Sequence, residues 1–512
     1  NVAGGVTAQQ GNANLEAGGD GALNTQGDVL AGNNVNITTN NGNLNVAGGV
    51  TAQQGNANLE AGGKGALNTQ GDILAGNNVN ATTKNGSLNV AGNVTAGQGD
   101  ANLAAGGDGT LHTQGNILAG NNINANADNG SLTVDGSITA QRGSINLQTN
   151  NETDPNQGAI NLNGAVLTQT ATDAGNINII TNNGNVNYTG DITVTGTGIL
   201  KIQVGNGNIN AGRTTQPDGT ETSGKLQSLN GSVDVFTQHG DVDLYEVFAQ
   251  NKASVGSQSG DVKIVKINGD IVVLQTKDMD NNLHVGETVA GSQIIVSSNR
   301  IGLDDIQQRP GKDNLLLMSV DSADPNEPID QLSMNFSKVN KGIEFSQLWL
   351  NNGSINVKDG KFFIDKLVVN NKALFTNKDM TTSVYGVPPV HDRSTSIYWD
   401  NVAATNPKNN LTGWHDPNYS GNWMYLFFGK DGRQQTSNGA LLHLSNDNYV
   451  FDQRYTGEDY LSFLLDSQAQ DTYRKRFTPN IPYYNRNNLY EISDSLLAEL
   501  KQAPKAEIQI MQ

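Results

Sequence analysis

The chain has no cysteine in 512 residues. That excludes disulfides, thiolate zinc sites, iron–sulfur clusters and cysteine nucleophiles together, and it suits an exported bacterial protein that crosses a periplasm unfolded. Proline is scarce, at 12, and charged residues make up only 16%. No run of 18 or more apolar residues occurs, so no segment reads as a membrane-spanning helix. Basic side chains number 31 against 49 acidic ones, for a net charge of −18. That balance disfavours nucleic acid and anionic membrane surfaces as partners. Aromatics are rare and uneven. Residues 1–310 hold only Tyr188, Phe236, Tyr245 and Phe248, and the remaining 25 lie downstream.

In excess are glycine, with 60 residues, and asparagine, with 10 in the first 44 positions. Collagen is excluded because the glycines do not fall at every third position, and 36% hydrophobic residues is too many for a disordered linker. The glycines follow a repeat. Asn1–Leu44 recurs at Asn45–Leu88 with five changes, among them Asp20 to Lys64 and Ile37 to Ala81. Further copies begin at Asn89, Thr133 and, after a longer gap, Asn187. Each unit contains two half-units, with Leu23, Leu44 and Leu67 in equivalent places, so the structural period is about 22 residues. The chain opens inside a repeat at Asn1, so it is expected to continue upstream.

Within a half-unit the apolar residues alternate with polar ones, as in Val35-Asn36-Ile37, which is the strand signature. Gly-Gly, Gly-Asn and Asn-Gly pairs between the runs supply turns. Three short strands and three corners per 22 residues predict one coil of a right-handed parallel β-helix, an all-β fold. Val35, Ile37, Val50 and Leu59 should point inward, with Ala81 leaving a smaller filler where Ile37 stood. Outward Asn should stack in hydrogen-bonded ladders along the axis. A shaft over residues 1–310 would hold about 14 coils over roughly 70 Å. Three polar stretches, Thr149–Gln157, Thr168–Gly175 and Arg213–Gly224, read as loops leaving the coils.

After about residue 200 the coils degenerate. Gly231–Gln238, Gly240–Val247, Gly260–Ile267 and Gly269–Thr276 read as separate strands opened by Gly. Residues 311–390 read as terminal β coils and a linker, with strands at Leu315–Ser319, Gly353–Val357, Lys361–Val369 and Lys372–Thr376 and the linker at Gly386–Val390. Residues 391–512 concentrate the aromatics and read as an α+β cap or anchor domain. Helices are expected at Asn488–Gln502 and near Thr456, and strands at Asn422–Lys430 and Gly439–Ser445.

The Gly- and Asn-rich tandem coils, the Gly49-Val50-Thr51-Ala52 type of step and the absent Cys together resemble the filamentous-haemagglutinin-type exoproteins of two-partner secretion. The resemblance covers residues 1–310 and concerns architecture rather than ligand. It implies a β-helical fibre exported through an outer-membrane secretion barrel and displayed outside the bacterial cell. Many such fibres are adhesins, and some carry a distal toxin. The family's NPNG and NPNL motifs do not occur, so its secretion domain is not represented in this sequence, and neither is a C-terminal Cys pair.

Candidate chemistry is sparse. The six histidines show no metalloprotease spacing, and residues 1–200 carry only Arg142, Lys64 and Lys84 as basic groups. No catalytic, cofactor or metal-ligating residue is assigned. Calcium is the one ion the sequence brings to mind. Asp278-x-Asp280-x-Asn282 opens like a calcium loop, but Leu283 and Val289 stand where Gly and Glu are required. Gly18–Gly21 lacks the nine-residue calcium repeat. His391-Asp392-Arg393 reads as a solvated loop. The glycan-binding candidates are Trp414, Tyr419, Trp423 and Tyr425, whose rings would stack on sugars, with His415 and Asp416 to hold hydroxyls; the favoured reading of the rings is the core of the terminal domain, since a shaft so poor in aromatics leaves its end domain in need of large core residues. The leading expectation is an adhesin fibre with a host receptor or extracellular polysaccharide as partner, and with fibre self-association. The alternatives are a polysaccharide-active β-helix enzyme and the stalk of a toxin-delivery exoprotein.

Overall fold

A computed structural model of the chain describes residues 1–320 other than 153, 155–156, 171–174 and 216–220, then 329–340, and strand backbone at intervals from Ile343 to Ile510. Two compact units are distinguished, Asn1–Gly269 and Asp270–Gln512.

In the first unit three columns of parallel strands wind as a right-handed solenoid. The first face begins with Val6–Ala8, Val29–Ala31, Val50–Ala52 and Ile73–Ala75. Ala13–Ala17, Val35–Thr39 and Ala57–Ala61 open the second, and Leu23–Thr25, Leu44–Val46 and Leu67–Thr69 the third. Each strand pairs in parallel with its equivalent one coil on, as in Val29↔Val50, Val35↔Ala57 and Leu23↔Leu44. The two coils of a 44-residue unit differ in their corners. The longer corner between second and third faces turns on Gly19, Gly63 and Gly107, whose φ of 67, 58 and 59° recurs once per unit and favours glycine.

The inward register is the one expected. Val35, Ile37 and Val50 are 0% exposed and Leu59 is 1% exposed. Ala81 lies between Leu59 and Leu103 in one interior column and is fully buried. The interior admits some polar atoms where a corner needs them. Thr39 donates to the Gly42 carbonyl at 2.5 Å, and Thr237 and Ser257 donate to Gly207 and Gly240. Corner glycines exist because coils touch there. A Cβ on Gly92 would lie 2.4 Å from the carbonyl carbon of Gly71 in the coil below.

Two of the three expected loops begin later than the sequence suggests. Thr149 and Thr168 are buried strand ends, not loop residues. Their hydroxyls turn inward to Gly158 and Gly175 carbonyls, which lets a polar residue finish an interior position. The third excursion carries a small antiparallel ladder, Thr214–Thr215 against Glu221–Thr222. Toward residue 240 the coil shortens. Val242 pairs with Val262, a step of 20, and strand Val242–Ala249 serves the third face with its first half and the first face with its second. Similarly, the two strands read from Gly260–Ile267 and Gly269–Thr276 are one, Val262–Thr276, because Asn268-Gly269-Asp270 stays extended rather than turning.

In the second unit strand Asn282–Ser297 pairs in parallel with Arg300–Gln308 along its first half and with Leu316–Val320 along its second. Ile329–Lys338, Ile343–Val357 and Phe362–Val369 continue the parallel stacking. The interior takes larger side chains than in the first unit, including Met318, Met334 and Phe336. Lys372–Thr376 folds back antiparallel on Phe362–Val369. Ala440–Leu444 occupies the strand expected at Gly439–Ser445 and pairs with Tyr449–Phe451 and Lys505–Ile510. The expected strand Asn422–Lys430, the helices at Asn488–Gln502 and near Thr456, and the linker at Gly386–Val390 lie outside the described residues.

Candidate functional site

The outer surface of the first unit is organised by hydrogen bonds that run along the axis. On the second face Asn36, Asn58, Asn80, Asn102, Asn124, Asn146 and Asn178 each donate Nδ2–H to the Oδ1 of the Asn one coil below, at 2.6 to 2.8 Å, starting from Asn14. The ladder stops where Lys201 pairs with Asn178. A second ladder on the third face runs through Asn24, Asn45, Asn68 and Asn89. Asn serves here because it carries both donor and acceptor on one short side chain, so every member is satisfied with no charge to repel its neighbour. At the corner before the second face the side chain accepts from backbone instead. Asn34 Oδ1 takes the Asn56 N–H and Asn78 Oδ1 takes the Asp100 N–H, both at 2.8 Å.

The third-face ladder is interrupted by His112, which stands one coil above Asn89. Its Nε2 meets Asp135 Oδ2 at 2.8 Å. The His112 hydrogen bond first, and the Asn163 amide second, hold the Asp135 carboxyl below its ordinary value. His284 and Asp304 make a similar exposed pair at 3.0 Å. Arg142, one of the few basic residues in 1–200, is a clamp: its Nε donates to the Gly120 carbonyl and its Nη2 to the Gln98 carbonyl, tying three coils at one corner. In the second unit burial pushes the Asp270 carboxyl up, but hydrogen bonds from Lys312 and Ser292 outweigh this and hold it low.

Tyr188 is the one aromatic fully buried in the first unit's described interior, 1% exposed and stacked on Leu162. Burial pushes its phenol far up, and among the described residues its hydroxyl finds no partner. It therefore fills space between Leu162 and the small Ala211 rather than acting as an acid.

The first face carries the most distinctive surface. A groove of about 690 Å³ runs along it, lined by Leu30, Thr51, Leu74, Thr95 and Leu118 and by the corner residues Asp28, Gly49, Asp72, Asn93 and Asn116. The leucines occupy the outward position of strands such as Val29–Ala31 and Ile73–Ala75, and threonine takes that position in alternate coils. Leu74 is 43% exposed. Asp28 and Asp72 each spend Oδ1 on a backbone N–H one coil up, at Gly49 and Asn93, both 2.7 Å away.

Of the sequence candidates, Trp414, His415, Asp416, Tyr419, Trp423 and Tyr425 lie outside the described residues. The calcium-like segment forms a turn closed by Asn281 N–H to the Asp278 carbonyl, with Arg300 3.7 Å from the Asp280 carboxylate and Asn282 already in a strand. Among the described residues no cluster of three His, Asp or Glu is placed to hold a metal ion. The leucine stripe was not singled out from sequence. Its signal was present in the alternation of Val-Leu-Ala and Val-Thr-Ala strands. No protein-family model, curated protein or solved structure matches this chain.

Proposed function

We propose that the chain is an adhesive fibre of the filamentous-haemagglutinin type, exported through an outer-membrane secretion barrel and displayed outside the bacterial cell. The observation that carries this reading is the repetition of the outer surface. One set of outward residues returns every 44 positions in a right-handed solenoid whose polar side chains are largely committed to bonds between coils. Such a surface offers many equivalent weak contacts rather than one convergent site, and its attachment strength grows with the number engaged. Residues 391–512 would cap or anchor the fibre in this reading. A host receptor or an extracellular polysaccharide is the partner, with self-association of fibres beside it.

The test is attachment without turnover. Beads coated with the full chain are passed over matrix polysaccharide and host-cell surfaces, and the effluent is assayed for new reducing ends. Retention of beads with no release of reducing ends is the expected result. Release of reducing ends would replace this reading with the polysaccharide-active enzyme.

A further inference from the structure

We infer that the leucine stripe on the first face is a track for an extended β-linked polysaccharide bearing free amino groups. This deepens the adhesive reading above and rests on it.

The stripe has a chemical period of two coils. Leu30, Leu74 and Leu118 repeat every 44 residues, with Thr51 and Thr95 between them. Two coils advance roughly 9.6 Å, and an extended β-linked disaccharide spans about 10 Å, so the polymer would meet the same leucine at each repeat. Leucine methyls suit the C–H faces of pyranose rings, and the threonine hydroxyls between them suit ring hydroxyls.

The flanking charge selects the polymer. Asp28 and Asp72 are exposed at the groove edge two coils apart. Each carboxylate uses Oδ1 for a backbone N–H and has no protein hydrogen bond to Oδ2 among the described residues. Paired with the net charge of −18, these groups favour ammonium-bearing sugars and repel uronic or sulfated ones.

A second copy of this chain fits less well. A strand of three residues is about 10 Å wide, and the eight coil steps from Thr7 to Thr193 cover about 38 Å, which together make roughly 380 Å². A stable protein partner needs about 800 Å² per side, and the carboxylates would face their own kind.

The experiment titrates the full chain with soluble β-(1→4)-linked glucosamine oligomers of increasing length, by calorimetry, in low and high salt. Affinity should rise in steps of two sugars, fall as salt rises, and drop at least tenfold when the amines are acetylated. Asp28→Asn with Asp72→Asn should weaken binding about tenfold and flatten the salt dependence. Leu30→Ser with Leu74→Ser and Leu118→Ser, all outward, should weaken it without changing the circular dichroism or melting temperature. Oligomer binding that survives both variant sets would overturn the track. So would sedimentation showing a dimer of the wild type that the leucine variant loses, which would assign the stripe to a second copy. The bead assay separates the two proposals. Variant beads that still attach as wild type sink the track and leave the adhesive reading standing, whereas wild-type beads that attach to no surface sink the reading itself.

Discussion

Replacing Asn80 by Ala should cost about twice as much stability as replacing Asn178 by Ala. Asn80 stands inside the second-face ladder. It donates to Asn58 Oδ1 at 2.7 Å and accepts from Asn102 Nδ2 at 2.8 Å. Asn178 is the last rung. It donates to Asn146 at 2.8 Å, and the next residue in its column is Lys201. A partly exposed amide hydrogen bond contributes about 0.5–1.5 kcal/mol net, so the interior change removes about 1–3 kcal/mol and the terminal change about half of that. Apart from the Arg142 clamp, the bonds between coils join nearest neighbours, so the loss should stay local. Hydrogen exchange read by mass spectrometry resolves it: amides of Val79–Thr83 and the adjacent strands should open more often in Asn80→Ala, while those of Ser232–His239 keep their protection. Equal losses for the two substitutions would show that the ladder does not stabilise the solenoid through rung-to-rung bonds. Loss of protection spread evenly over the unit would refute its nearest-neighbour character.

Other substitutions probe other parts of the account. Gly92→Ala forces a Cβ to 2.4 Å from the coil below and should lower the melting temperature by several degrees, an effect of about 1–3 kcal/mol, while Gly18→Ala, with nothing within 4 Å, should not. Tyr188→Phe removes a buried hydroxyl that lacks a partner and should leave stability equal or raise it by about 1 kcal/mol in a thermal melt; a marked loss would mean the hydroxyl is bonded. Asp135 is held below its ordinary value of 3.8, so its contribution is complete above that pH and is lost as pH falls below it. His112→Asn should remove this part of the acid sensitivity, seen as a smaller drop in melting temperature between pH 6 and pH 3 in paired melts; an unchanged drop would deny the pair any role. Ala81→Ile puts the bulk that Ile37 supplies in the preceding unit between Leu59 and Leu103, which must repack, and should cost about 1–3 kcal/mol in a thermal melt; no loss would show spare room in that column.

Much of the first unit is legible because one repeat specifies it many times over. A period-two pattern with a 22-residue return leaves a single register in which Val35 and Ile37 are buried, and a slip of one residue would place Asn36 inside. The Asn ladders follow from the same return. Legibility fails where the repeat does. Asn268-Gly269-Asp270 has turn composition, yet no gap in the strand marks it: Val262–Thr276 is continuous, and its alternation slips at Val265-Lys266 and Asp270-Ile271 instead. Thr149 and Thr168 look like loop residues, but a threonine whose hydroxyl reaches a corner carbonyl can close an interior position as valine does. The groove was hidden for a different reason. The alternation turns Leu30 and Leu74 outward, but only the pairing register sets them in one column beside Asp28 and Asp72.

The proposed adhesive role spreads attachment over a repeated lateral surface rather than holding it at one site. Excising the unit Asn45–Leu88, which joins Leu44 to Asn89 in register, removes two coils and one copy of the outward set. The bead-attachment force of this shortened chain against the full chain is the direct measurement. The shortened chain should stay folded and attach slightly more weakly, its force reduced in proportion to the coils lost. Complete loss of attachment with the fold intact would contradict it and place the binding in a discrete site within the excised coils.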